Sequence, residues 1–503
     1  MIDQHLSVLL VVLPLLSAPI TAMLNRANLA WYITLIVTSL CLVMSVMLLL
    51  DVSSGQVIHY ELGGWAPPWG IEYRIDSLNA LVALIVSGIG VATSLYAKRS
   101  VENEIDATQI ALFYATFQLC FLGLLGICLT GDIFNLFVFL EISSLASYAL
   151  IAMGSNRKAL TASFHYLVLG TLGATFFLIG VGLAFAATGT LNMADLSVKL
   201  LESQDVQLVH TAFALIIVGM ALKAAIYPLH LWLPNAYSYA PSVVSIFLSA
   251  TATKVAIYVI IRSLFHVFSY EYVVNTLLPE VLIVMGGVAI LYGSLRAINQ
   301  TGMRKMLAYS SVAQIGYMIM GIGFLTKAGL TASLLHLFNH ALMKAALFMA
   351  AGLFIYRVKT ATFENIKGLG REMPYTFAAM IIAALSLIGV PGTVGFVSKW
   401  QLLQAAIEQQ HWTMVIIILI GSLLAIVYVW KLIEVLYFQQ REKIRVHGVQ
   451  SGSEEFGRSP LTMSAALWML ALMCVYFGIN TDLTMSTAQS AVEILFAADG
   501  GQR

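Results

Sequence analysis

Fourteen apolar runs, each long enough to cross a bilayer, leave this chain few folds to choose from. They lie at 6–24, 28–50, 76–97, 108–129, 131–153, 160–187, 208–233, 242–264, 272–295, 304–325, 328–356, 374–408, 412–437 and 461–480. A helix rises about 1.5 Å per residue, so about 20 residues match about 30 Å of hydrocarbon. In lipid the backbone must satisfy its own hydrogen bonds, which leaves helices and closed barrels, and runs of this length specify helices. Turn-forming stretches fill the gaps: LNRAN, GWAPPWG, GSNRK, NQTG and SGSEEFGRSP. The expected fold is therefore all-α: one polytopic transmembrane domain over residues 1–503 with about 14 transmembrane helices. Residues 6–24, which follow no basic leader, read as a retained first helix rather than a signal peptide.

Composition agrees with this reading. Hydrophobic residues make up 60% of the chain and charged residues 10%, against about 25% charge in a soluble domain. The net charge of +1 and the lack of a basic tract point away from nucleic acid and toward the lipid bilayer as the main partner. Cys41, Cys120, Cys128 and Cys474 all fall inside apolar runs and match neither a metal-ligand pattern nor a disulfide framework.

The positive charges set an orientation. Alternate loops, beginning with the one that holds Arg26, carry 16 of the 26 Lys and Arg residues: Arg26, Lys98, Arg99, Arg157, Lys158, Arg296, Arg304, Lys305, Arg357, Lys359, Lys367, Arg371, Arg441, Lys443, Arg445 and Arg458. Arg74, Lys199, Arg262, Lys327 and Arg503 fall on the other side. By the positive-inside rule both termini are non-cytoplasmic, and residues 481–503 are a non-cytoplasmic tail.

The five remaining basic residues are all lysines within runs: Lys223, Lys254, Lys344, Lys399 and Lys431. Lys431 is near the cytoplasmic end of its run and can snorkel. The other four are deeper, and each costs roughly 2.5–3.5 kcal/mol at a helix centre. They require a polar interior. Glu141, equally deep, is the natural partner of Lys223, because a lone buried carboxylate would protonate or pair. Arginine keeps its proton in proteins, whereas lysine and histidine can load and unload one. His336, His340 and Lys344 recur at intervals of four on one helix face, a pattern that favours a proton path. A metal site for the two histidines is the competing reading, but no third ligand is evident nearby.

Two runs are broken. Pro228 and Pro234 interrupt the seventh beside Lys223, and Pro391, Gly392 and Gly395 interrupt the twelfth before Lys399. Discontinuous helices beside charges, in two halves of a chain, mark transporters built from repeats. Counting gives opposite orientations to helices 4–8 and 9–13, so residues 104–264 and 272–437 are expected to be inverted repeats with broken helices 7 and 12.

The stretches LTGDIFNLFVFLEISSLASYAL, TGTLNMADL, LKAAIYPLHLWLPNAYSYAPS, MRKMLAYSSVAQIGYM, HLFNHALMKAALFMAAG and GVPGTVGFVSKWQLLQAA together resemble the antiporter-like subunits shared by respiratory complex I and the Mrp-type multisubunit cation/proton antiporters, most of all the Mrp D subunit. The likeness covers roughly residues 70–430. It implies a bacterial inner-membrane subunit of a hetero-oligomeric complex, a secondary transporter of protons and a monovalent cation, Na+ ahead of K+, rather than an enzyme, with no cofactor of its own. It implies that Glu141 and Lys223 form the coupling pair, that Lys254 and His340 continue a hydrated central axis, and that Lys399 is the terminal lysine. Two positions depart from the family pattern. Asn235 stands where an acid often follows WLP, and Gly392 where a second proline often follows GVP. Both leave the subtype open. A proton-pumping module of a redox complex (a complex I relative or membrane-bound hydrogenase) and a partner of an inorganic-carbon uptake protein are the alternatives. A catalytic membrane enzyme is disfavoured because no nucleophile constellation is evident.

Overall fold

The computed structural model describes residues 5–53, 55–440 and 459–500. Among them, 13 helices are long and apolar enough to cross a membrane. Span 1 is Leu6–Leu24, span 2 Ala27–Val52, span 3 Ser77–Glu104, span 4 Ile110–Leu129, span 5 Ile133–Ala152, span 6 Arg157–Thr188 and span 7a Val206–Lys223. Span 8 is Ser242–Ala250 with Ala252–Arg262, span 9 Leu278–Ile298, span 10 Met303–Gly323, span 11 Lys327–Val358, span 13 Trp412–Ile433 and span 14 Leu461–Ile479. The remaining run, the twelfth, is split into two 15-residue helices, span 12a (Pro374–Ile388) and span 12b (Val394–Glu408). The all-α membrane fold is thus as expected, and every expected run is helical over most of its length.

Spans 8, 10 and 11 are enclosed along nearly their whole length, while spans 13 and 14 present most of their surface outward. Spans 8 and 11 carry Lys254, His336, His340 and Lys344, so these polar groups are lined by protein. With apolar solvent outside, association between spans rests on close packing and buried polar contacts. Gly286 and Gly316 provide the first: a Cβ on Gly316 would lie 2.6 Å from the Gly286 carbonyl oxygen. Gln118 provides the second. Its amide oxygen accepts from Ser17 at 2.7 Å and its amide nitrogen donates to Thr21 at 3.1 Å and Thr34 at 2.7 Å, tying spans 1, 2 and 4.

Short extended segments close the ends of the bundle. Strands Ile58–Glu61 and Glu72–Ile75 pair antiparallel across the GWAPPWG turn. Gly131 N–H donates to Glu72 O, and residues 131–133 exchange backbone bonds with 191–193. Residues 301–303 and 361–363 exchange the same pair of bonds. The first bridge precedes span 5 and the second precedes span 10.

Four features depart from the sequence expectations. Span 8 is interrupted at Thr251, where no proline or glycine marks the break. Residues Met193–Glu202, between spans 6 and 7, form a short helix that buries Met193, Leu196 and Leu200 on one face. The expected tail contains a helix, Asp482–Gly500, which buries Ala488, Ala491, Val492 and Leu495 and packs on spans 3 and 11. Arg262, expected among the outer loop charges, is a buried residue of span 8 that donates to both oxygens of Asp76 at 2.7 and 2.8 Å. A paired arginine is indistinguishable in sequence from a loop arginine at a span end. Arg441, Lys443, Arg445 and Arg458, which contribute to the charge bias, lie outside the described residues.

Replacing Gly316 with leucine forces a side chain against the Gly286 backbone, where relief requires the spans to separate. Overpacking of this kind costs about 1–3 kcal/mol or more. The G316L protein should show a clearly lowered melting temperature in detergent, measured by size-exclusion after heating. Wild-type stability would show that spans 9 and 10 do not pack through this pair.

Candidate functional site

The expected break in span 7 follows Lys223. Helix ends at that residue, and the chain turns through Ala225, with φ 56°, before Leu233–Tyr239 resumes. The freed carbonyls are met locally: Ile226 N–H donates to Ala221 O at 3.0 Å and Trp232 Nε1–H to Leu222 O at 2.9 Å. Lys223 is thereby left for other partners. Its Nζ donates to Ser144 Oγ at 2.6 Å and Tyr148 OH at 3.4 Å and lies 3.7 Å from Glu141 Oε1. Glu141, Ser144 and Tyr148 stand at i, i+3 and i+7 of span 5, one helical face. The predicted pair is therefore present, at ion-pair distance but too long for a hydrogen bond. Beside it lies a cavity of ≈ 30 Å³ lined by Lys223, Ser143, Ser144 and Ser147 on one side and Ala252, Val255 and Ala256 of span 8 on the other. A water needs about 10–15 Å³ of such volume and a few polar partners, which this cavity supplies.

Lys254 lies three residues past the break at Thr251. It is fully buried, and its Nζ donates to the carbonyl of Ser249, which the break frees, and to Thr253 Oγ1 at 3.5 Å. Lys399 performs the matching task at the break of span 12. Its Nζ donates to Leu387 O at 3.0 Å and Ile388 O at 2.9 Å, the last carbonyls of span 12a, and lies over the Tyr317 ring at 5.0 Å. The two half-helices approach very closely: a Cβ on Gly395 would meet Ser386 O at 1.8 Å. Glycine is required there. Asn339 of span 11 pins the start of span 12b by donating to Val394 O at 2.7 Å.

The histidine row is partly as expected. The rings of His336 and His340 are parallel, with centroids 6.0 Å apart. His336 joins two spans, with Nδ1 2.8 Å from Ser398 Oγ and Nε2 2.9 Å from Gln314 Oε1. Donation from Nε2–H to Gln314 leaves Nδ1 to accept from the serine hydroxyl. Both nitrogens are thus engaged, which disfavours the metal reading. His340 is fully buried, and neither ring nitrogen has a hydrogen-bond partner among the described residues. Lys344 continues the row in sequence but turns to span 10, donating to Leu307 O at 2.7 Å and Ser310 Oγ at 2.5 Å. Lys431 reaches the end of span 9, donating to Ile298 O at 2.8 Å and Gln300 O at 2.9 Å, as a snorkelling residue does.

Sequence reasoning missed the neutral members: Ser144, Tyr148, Gln314, Ser398 and Asn339. Helical spacing from Glu141 and His336 marks Ser144, Tyr148 and Asn339. Gln314 and Ser398 come from other spans, and no local pattern announces them. His230, two residues past Pro228, is also missed. It is buried against Tyr227 and Tyr292 with neither ring nitrogen bonded among the described residues.

Taken together, the site is a set of buried ionisable groups, with Lys223, Lys254 and Lys399 beside helix breaks and His336, His340 and Lys344 on the continuous span 11. Lysine and histidine are side chains that can load and release a proton. Comparison with known proteins agrees. The NADH:quinone oxidoreductase/Mrp antiporter transmembrane family matches residues 130–425. The chain is 39% identical over 489 residues to the N subunit of the NADH-quinone oxidoreductase of Desulforudis audaxviator, covering 96% of this chain and 97% of that one. It is 30% identical over 491 residues to the D subunit of the Na(+)/H(+) antiporter of Bacillus subtilis, covering 97% and 96%. A chain of the Mrp complex from a Dietzia species superposes with a TM-score of 0.88 at 26% identity, covering 99% and 98%. The protein is a multi-pass membrane transporter subunit, and it belongs to the antiporter-like family shared by NADH:quinone oxidoreductase and the Mrp antiporters.

Proposed function

We propose that this chain is the proton-translocating subunit of a multisubunit monovalent cation/proton antiporter in the bacterial cell membrane, with Na+ ahead of K+ as the exchanged ion. The observation that carries the reading is the Glu141–Lys223 pair at the break of span 7, 3.7 Å apart and next to a cavity of ≈ 30 Å³. The name of the Bacillus relative, a Na(+)/H(+) antiporter subunit, supports the choice of ion.

In this mechanism the carboxylate governs how firmly Lys223 keeps its proton, because the attraction between the two charges is strong where water is sparse. When Glu141 moves away, the proton passes by way of water in the serine-lined cavity toward span 8 and Lys254. His340 and His336 relay it to Lys399, with Lys344 a side station whose charge opposes a proton on Lys254. Residues 104–264 and 272–437 act as inverted repeats. Matching backbone bridges before spans 5 and 10 support this, since those spans start at opposite ends of the bundle. The paired helix breaks beside Lys223 and Lys399 support it too. In this orientation both termini, and the segment 481–503, are non-cytoplasmic, and the other subunits of the complex supply the cation path.

The 39% identity to an N subunit favours a second reading, in which the same relay serves as a proton-pumping module of a redox complex. Electrons would then run through other subunits. The polypeptide composition of the purified complex separates the two, because iron–sulfur subunits belong only to the second.

Lys223→Ala and Lys223→Arg should both abolish cation-dependent proton movement in inverted vesicles at normal expression, since arginine keeps the charge but does not release a proton. Ser144→Ala removes one hydrogen bond to the ammonium, worth about 1.5 kcal/mol, and should slow transport roughly tenfold. Full activity in the arginine variant would exclude Lys223 from the relay. Lys399→Ala should stop flux as completely as the double variant with Lys223→Ala, because stations in series are not additive. Appreciable transport in the single Lys399 variant would put that residue off the path. For orientation, a cysteine at Trp69 should react with an impermeant reagent from outside and one at Arg371 only from the cytoplasm. The reverse pattern would invert the assignment.

A further inference from the structure

Away from the proton line, one end of the bundle holds a cavity of ≈ 530 Å³ between residues 154–241 on one side and 300–362 on the other. Lys158, Arg304, Lys305 and Lys359 line it, with Glu104 as the single carboxylate. That carboxylate is already engaged: Oε2 accepts from Ser242 N–H at 2.8 Å and Oε1 from Ser100 Oγ at 3.0 Å. Among the described residues none of the four cations has a carboxylate within 4.0 Å. Spans 6 and 10 begin at the cavity wall and spans 3 and 11 end there, so backbone N–H groups of two helix starts face the same space as two helix ends, and the excess positive charge comes from the side chains.

The positive-inside rule accounts for lysines that reach water at this end. It does not account for Arg304, which is only 8% exposed. Its two terminal nitrogens are held by Ala240 O, at 2.9 Å, and Ser242 Oγ. Its Nε lies buried without a partner among the described residues. A buried guanidinium N–H left open costs free energy, and this one borders a cavity rich in positive charge. Planar guanidinium groups and helix N-termini are both suited to phosphate oxygens.

We propose that this cavity is a phosphate-binding site, which takes either a soluble phosphate or the headgroup of an anionic phospholipid. Arg304 is its buried anchor, and Lys158, Lys305 and Lys359 surround the anion. A bound phosphate neutralises the cluster and joins the 154–241 segment to the 300–362 segment at this end of the protein.

The test uses the purified, assembled complex and its Lys158→Gln/Lys305→Gln variant, both substitutions on side chains that make no buried hydrogen bond. Thermal stability is followed against inorganic phosphate in a neutral detergent. It is followed again in nanodiscs of phosphatidylcholine with and without phosphatidylglycerol. The expected result is a saturable rise in melting temperature whose half-point moves roughly tenfold higher in the double variant, and does not move in the control Lys367→Gln. Response to inorganic phosphate assigns the soluble ligand. Response to phosphatidylglycerol alone assigns the lipid. The proposal is overturned if neither anion stabilises the wild type, if the double variant responds like the wild type, or if the control loses the response equally. Proton transport is not part of the readout, so the outcome is independent of the relay proposed above.

Discussion

Every backbone carbonyl inside a bilayer needs a donor, and the fold of this protein turns on how that need is met where helices break. Span 12a ends on carbonyls that Lys399 takes up, the break in span 8 offers Ser249 O to Lys254, and span 9 ends on carbonyls that Lys431 reaches. Lysine is therefore both costly and necessary in these places. It satisfies the orphaned oxygens of an interrupted helix and, unlike a serine or water doing the same, brings a titratable proton with it. In the proposed relay, structural and functional demands fall on the same atom.

Lys223 is the exception, and the exception is informative. The carbonyls at its own break are met by Trp232 and by backbone N–H groups, so its ammonium is free to face Glu141, Ser144 and Tyr148 on the neighbouring span. Of the five lysines within spans, it alone has a carboxylate within 4.0 Å among the described residues. A lysine fastened to carbonyls has a fixed environment. Lys223 instead faces a carboxylate, and on that difference the proposed mechanism gives it the coupling role.

The enclosure of the central spans makes this arrangement tolerable. Spans 8, 10 and 11 are surrounded by protein, so His336, His340, Lys254 and Lys344 never meet hydrocarbon. Close helix crossings at Gly286 and Gly316, and the Gln118 network among spans 1, 2 and 4, hold the outer spans around that centre. His340, with no hydrogen-bond partner among the described residues, sits within this enclosure.

Much of this was legible in the chain itself. Hydrophobic length must match bilayer thickness whatever the neighbours are, so the helices and their number followed from the apolar runs. Prolines and glycines act locally, so the breaks at Pro228 and at Gly392–Gly395 could be read. Lysine at bilayer depth is costly in any context, so Lys223, Lys254, Lys344 and Lys399 stood out with Glu141. What tertiary structure alone decided concerns partners that come from distant segments. The break at Thr251 has no local signal. Arg262 looked like a loop charge until Asp76 was placed beside it. The row His336, His340 and Lys344 is continuous along its helix, yet Lys344 turns to span 10 while His336 bridges Gln314 and Ser398. Residues Asp482–Gly500 read as a tail because their few apolar residues find their cover on spans 3 and 11. A sequence states the cost of burying a charge, but the groups that offset that cost are chosen by packing across the bundle.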